Sequence, residues 1–247
     1  MPSVKTQTRD MTAELESGKI LPLVFKLGVP AIIAQLITFL YNIVDRMYVA
    51  KIEGSGMDAL AALGSVLPIT LIIQAFANLI GLGGSPRAGI RMGEGNREEA
   101  NRLFNAAFLM LFVLGVVIGA VVLVFARPIV VAFGCPPSAL EFAVDYLRIY
   151  AGGTVFVMLA AGLNPFILTQ GYSFLSMACV LVGAITNIAL DPLFIFALDM
   201  GVRGSSLATV ISQLFSCACV VVFFFSKRSL FHYRVREMLP TWARVRD

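Results

Sequence analysis

Histidine occurs once in this sequence, as His232, and the four cysteines include no C-x-x-C pair. A zinc centre or a Ser-His-Asp triad therefore has almost nothing to be assembled from. No disulfide framework is expected either: Cys179, Cys217 and Cys219 lie within apolar runs, and Cys135 stands alone in a loop. Charge is scarce. Asp, Glu, Lys and Arg make up 14% of the chain, whereas soluble domains carry about 25%. Residues 1–19 lack a short apolar region followed by a small-residue cleavage site, so no signal peptide is expected. The glycine-rich stretch from Gly81 to Gly95 contains no lysine. It cannot supply the G-K-[ST] step of a phosphate loop, and it follows an apolar helix where a dinucleotide fingerprint needs a strand. No nucleophile with an adjacent base is visible, so enzyme activity is not expected.

What the chain has is apolar length. Hydrophobic residues make up 58% of 247 positions, the composition of an integral membrane protein. The net charge of +4 does not point to nucleic acid, because Lys and Arg lie mainly in the loops and tails between apolar runs. Six runs are long enough to cross a bilayer: 20–49, 59–82, 102–124, 140–163, 175–198 and 206–226. The expected fold class is an all-α membrane protein, a six-transmembrane-helix bundle. It is preceded by a cytoplasmic segment, 1–19, with a short surface helix near 12–16, and followed by a basic segment, 227–247. Residues 81–100 read as a loop on the cytoplasmic face, and Asn164-Pro165 as a helix break. Gly115 and Gly119 form a G-x-x-x-G close-packing face.

The fifth run holds the most informative stretch, Asn187-Ile188-Ala189-Leu190-Asp191-Pro192. A carboxylate at the centre of a membrane helix costs roughly 2.5–3.5 kcal/mol on insertion scales. Asp191 is therefore expected to face protein or water. Asn187, four residues earlier, shares its helix face. Pro192 removes a backbone donor and loosens the helix at Asp191. An acid, an amide and a freed carbonyl at one kink suit H⁺ or Na⁺; a polar anchor between helices is the competing reading.

The first run carries a second acid on a polar stripe of Gln35, Thr38, Asn42 and Asp45, at helical spacing. The stripe reads as the wall of a wet cavity, or, given Arg46, as ending in a solvated pair at the interface. Pro30 lies within this run, so tilt or a kink is expected there. Gln74 and Asn78 on the second run either line the same cavity or bond a neighbouring helix. Ser205, Thr209, Ser212 and Ser216 share a stripe on the sixth run, where Thr209 could bring a hydroxyl near Asp191 and small hydroxyl residues also serve as packing glue. Met158 and Phe156 are candidates for an adaptable apolar pocket lining. A carboxylate pair sharing one compartment can hold a proton and release it when the cavity becomes wet.

Basic residues gather in the N-terminal tail (Lys5, Arg9, Lys19), at Arg87, Arg91, Arg97 and Arg102, and in the final tail. The positive-inside rule then puts both termini in the cytoplasm.

These residues resemble the multidrug and toxic compound extrusion (MATE) transporters, in their bacterial multidrug branch. The resemblance runs through Leu40–Arg46, Gly93–Asn96, Tyr146–Tyr150, Leu163–Ile167, Asn187–Pro192 and Gly204–Gln213. It implies twelve helices in two six-helix lobes, of which this chain is similar to the first. It also implies an antiporter of the bacterial cytoplasmic membrane that exports organic cations in exchange for H⁺ or Na⁺ and needs no other cofactor. The implied cation site is Asp45, Asn187, Asp191 and Thr209, with Tyr146 nearby; Na⁺ would bind the first four. Pro30 matches the hinge the resemblance implies; the residue pattern itself adds Pro192 as a second hinge and Gln35, Asn42, Gln74, Asn78 and Met158 as a candidate substrate cavity. The family is about twice this length. The chain is thus expected to be a truncated gene or fragment, its basic end leading to an absent second lobe, with pairing to a copy of itself as the alternative. A lipid-linked saccharide flippase of the same superfamily would carry arginines within its cavity; here the spans hold few, chiefly Arg46 and Arg148. A non-transporting scaffold would not need the two acids.

Overall fold

The computed structural model describes residues 20–226 and 228–231, with side chains of the first turns of the first helix left out. The segment 1–19, including the expected surface helix, and the basic tail beyond 231 lie outside the described residues. Among the described residues there are six helices long and apolar enough to cross a membrane. We number them α1 (Ile20–Ala50), α2 (Gly56–Gly93), α3 (Arg97–Ala132), α4 (Leu140–Thr169), α5 (Ser173–Pro192) and α6 (Val202–Phe225). A π-helical turn, Leu193–Ala197, follows α5 directly. The fold is all-α, and the six spans fall where the apolar runs are.

The helices are longer than the runs. The glycine-rich stretch expected to be a loop is instead the last third of α2, which continues through Pro86 to Gly93. The reason is packing. A Cβ on Gly81 would collide with the backbone of Gly162, one on Gly84 would press on the Phe166 ring, and one on Gly89 would strike Thr169. The small residues form a notch that lets α2 lie against α4. Likewise α4 runs through Pro165 to Thr169 without a break. Prolines are tolerated in such helices because packing against neighbouring helices holds them in place; the last turn after Pro165 is tied by the Thr169 hydroxyl, which donates to the Pro165 carbonyl at 2.9 Å. In α3 a kink does form, at Phe125 (φ −102°, ψ 20°), three residues before Pro128. Gly95, at φ 82°, turns the chain out of α2. Asn96 then caps α3, its Oδ1 accepting from the Glu99 N–H at 3.1 Å.

The central post is α4, against which α2, α3 and α6 all pack. Gly115 and Gly119 bring α3 to α4, where an added Cβ would meet Val155 and the Ala151 carbonyl. Gly153 does the same for α6 at Val210. α5 lies on α6, with Gly183 against Ser216, and α1 lies chiefly on α5. α1 is peripheral: Ile32, Leu36, Phe39, Leu40, Ile43 and Met47 are all exposed. At the end of the bundle where α3 begins and α4 and α6 finish, Phe104 is stacked with Phe231 at 5.4 Å and edge-on to Phe166 at 5.5 Å. Gln170 closes that end, its Oε1 accepting from the Leu230 N–H at 2.6 Å.

Candidate cation site

The opposite end of the bundle is polar inside. There α1 and α5 finish while α4 and α6 begin. α5 presents Asn187 and Asp191 one turn apart on its buried face, at 1% and 0% exposure. Pro192 removes the N–H that would have bonded the Ile188 carbonyl. The backbone then widens into the π-helical turn, where the Leu198 N–H reaches the Leu193 carbonyl at 2.9 Å. Such turns recur at functional sites. The chain reverses through Asp199 and Gly201, both at positive φ (50° and 56°). Gly204 then seats on the backbone of Phe194, where a Cβ would come within 2.7 Å. This compact return sets the first turn of α6 beside the end of α5.

Asp45 enters from α1 and is buried. Its carboxyl group is within hydrogen-bonding reach of the Asp191 carboxyl. It also accepts a hydrogen bond on Oδ1 from the Ser205 hydroxyl at 2.8 Å. The Asn187 amide donates to Asp191 Oδ1 across a long 3.5 Å. Asn187 Oδ1 and Asp191 Oδ2 are buried with no hydrogen-bond partner. Two carboxylates at contact repel unless something positive lies between them. One shared proton turns the contact into a hydrogen bond, and a small cation would be met by the two orphaned oxygens. A cluster of three or more His, Cys, Asp or Glu that could hold a metal is absent among the described residues; the donors here are two acids, an amide and hydroxyls, which suit a hard cation.

Tyr146, buried near the start of α4, stacks with Tyr150 at 6.2 Å, and Thr209 lies beside its phenol. The hydroxyl that bonds an acid comes from Ser205, one turn before Thr209 on the same stripe. Sequence reading placed Ser205 on that stripe but not in the site; its position at the mouth of α6, opposite an acid 160 residues away, has no local signature. Arg46 is half-buried and adds its field to Asp45. The acid itself turns inward, so the pair is not a simple solvated one at the interface.

The expected cavity residues divide. Gln35, Asn42, Gln74 and Asn78 are exposed on α1 and α2. Thr38 and Asn42 spend their donors on their own helix, to the carbonyls of Ala34 and Thr38. Met158 corrects the expectation: it is fully buried in the core, because α4 is surrounded by other helices and has no open face there. Pro30 lies within a continuous α1, and Pro192 ends α5 at the π-helical turn.

Six apolar helices with a buried acid pair between the first and fifth spans define a multi-pass, all-helical membrane architecture. The MatE family profile matches residues 30–193, and the chain belongs to that family. It is 27% identical over 232 residues to the multidrug export protein MepA of Staphylococcus haemolyticus, covering 94% of this chain and 51% of that protein. It is 28% identical over 205 residues to a FAD transporter of Shewanella oneidensis, covering 81% of this chain and 44% of that one. An outward-facing multidrug-resistance MATE transporter structure superposes with a TM-score of 0.83 at 26% identity, over 91% of this chain and 49% of that chain. A MOP superfamily transporter from Pyrococcus furiosus superposes at 0.82, also at 26% identity, over 90% of this chain and 49% of that chain. The chain thus spans about half the length of the relatives it matches, and the bundle corresponds to one lobe.

Proposed function

We propose that this chain is the ion-coupling lobe of an exporter of organic cations, exchanging drug for H⁺ or Na⁺ across a bacterial cytoplasmic membrane. The observation that carries the reading is the contact between Asp45 and Asp191 in a buried pocket that also holds two unsatisfied oxygens. An unpaired buried acceptor costs about 1–3 kcal/mol, so the pocket gains whenever a cation enters. Because α1 is packed chiefly on α5, loss or gain of that cation acts directly on the seating of α1. Release of the ion on one side and its uptake on the other would then move the helix that carries the polar stripe. Arg87, Arg91, Arg97 and Arg102 flank one end of the bundle, which by the positive-inside rule is the cytoplasmic end; both termini then lie inside. The exposed flank of α1 and α2 is where a second six-helix lobe, or a second copy, would complete a substrate cavity.

The likeness to a flavin transporter supports a second substrate class, a flavin dinucleotide, for the same coupling machinery. The experiment is efflux from vesicles containing the full chain. A fluorescent organic cation and FAD are tested in parallel, under an imposed pH gradient, a Na⁺ gradient or neither. Export driven by one gradient and collapsed by the matching ionophore is expected. Export that ignores both gradients would refute ion coupling, and faster movement of FAD than of the cation would select the second substrate class.

A further inference from the structure

We infer that Ser205 is a positioning residue of the cation site, holding the Asp45 carboxyl group against Asp191. The inference rests on the ion-coupled reading above and assigns a role to a residue outside the expected ligand set. Ser205 is fixed on three sides. It is fully buried, and the preceding Gly204 presses on the Phe194 backbone. The following Ser206 donates to the Tyr146 carbonyl at 2.7 Å, which pins α6 to α4. The hydroxyl is therefore a rigid post.

Asp45 sits on the opposite kind of element. α1 has a broad exposed face and packs mainly on α5. The carboxyl group is surrounded by Asp191 from α5, by Tyr146 from α4, and by Tyr41 and Arg46 from its own helix. Left alone, an aspartate side chain can rotate among staggered wells and turn toward the guanidinium of Arg46. The 2.8 Å bond from Ser205 to Oδ1 selects the rotamer whose second oxygen is free to meet Asp191. A hydroxyl suits this task because it donates to a carboxylate and can also turn a lone pair toward a cation.

The test uses Ser205→Ala, Ser205→Thr and Ser205→Val in the full chain, with two readouts. The first is gradient-driven efflux of a fluorescent organic cation. Ser205→Ala is expected to lower the maximal rate about tenfold while KM stays within about twofold, the pattern of a lost transport-step interaction rather than lost binding. Ser205→Thr keeps the oxygen and restores the rate. Ser205→Val keeps the shape of threonine without the oxygen and does not. The second readout, independent of transport, is labelling of the buried acids by a hydrophobic carbodiimide, read by mass spectrometry at residues 45 and 191. The reagent attacks the acid that carries the shared proton; Ser205, donating to Asp45 Oδ1, stabilises Asp45 as the carboxylate and so favours the proton on Asp191. The unmodified chain is expected to label Asp191 over Asp45, and Ser205→Ala to even the two. A wild-type rate for Ser205→Ala, rescue by Ser205→Val equal to that by Ser205→Thr, or an unchanged labelling ratio would overturn the assignment. If the unmodified chain exports nothing yet the labelling ratio responds as described, the exporter reading fails and the positioning role of Ser205 stands.

Discussion

The two ends of this bundle are both buried and are built from opposite materials. One end is closed by rings: Phe104, Phe166, Phe224 and Phe231 are all at 1% exposure or less, and Phe104 lies 4.5 Å from Phe224 between ring centres. Its main polar side chain there, Gln170, is satisfied on both sides, since its amide also donates to the Phe166 carbonyl at 3.0 Å. The other end is closed by hydroxyls, phenols and carboxyl groups, and it leaves two oxygens without partners. The contrast teaches where change is stored. An apolar, close-packed end has one low-energy arrangement. On the proposed reading, a polar end with orphaned acceptors has two, one with a cation and one without, because the penalty of an unsatisfied group is removed when something binds. Both ends are threaded by the same helix, α4, which presents tyrosines to one and Phe166 to the other.

That comparison can be broken by moving each end separately. The largest expected effect is functional. Asp191→Asn should reduce gradient-driven efflux to background while the protein still inserts and its thermal midpoint in detergent holds or rises, since it removes a carboxyl–carboxyl contact. A variant that keeps coupled efflux would show that the polar end is only structural. At the aromatic end, Phe104→Ala should cost about 3–5 kcal/mol of stability, measured by thermal or denaturant unfolding in detergent, with gradient dependence retained in whatever protein stays folded. A smaller effect lies between the ends: Gly81→Val forces α2 away from the Gly162 backbone and should cost about 1–3 kcal/mol, seen as a lowered unfolding midpoint. The smallest is on the periphery. Leu36→Ala on the exposed face of α1 should change the stability of the isolated bundle by less than about 0.5 kcal/mol; a larger loss would mean that this face is packed against something.

How much was legible beforehand depends on the range of the interaction. The six spans were readable because apolar length is a local property. So was the juxtaposition of Asn187 and Asp191, which helical geometry places on one face. Helix ends were misread at 81–93 and at Asn164-Pro165. Glycine and proline are punctuation in water, but within a membrane bundle a glycine is also a notch for a neighbouring backbone, and only the neighbour decides which. Gly81 meets Gly162 and Gly84 meets Phe166 across 82 or so residues of chain, a contact with no local mark. Met158 failed for a related reason: an apolar side chain on a membrane helix faces lipid, pocket or core according to where its helix stands, and α4 stands in the centre. The polar stripe on α1 divides by surroundings: Asp45 is buried against α5 and α6, while Gln35 and Asn42 stand on the exposed flank, with Thr38 and Asn42 bonded to carbonyls of their own helix.

Composition and periodicity alone determined that this chain crosses a membrane as six helices and that two acids lie within them, since burying a charge in lipid is costly enough to flag each acid on its own. Only the tertiary structure decided that those acids touch, that a serine and not a threonine holds one of them, and that the rings and the carboxyl groups occupy opposite ends. These are contacts between residues far apart in the chain, set by where glycine notches let helices cross, and a crossing point is a property of two surfaces together.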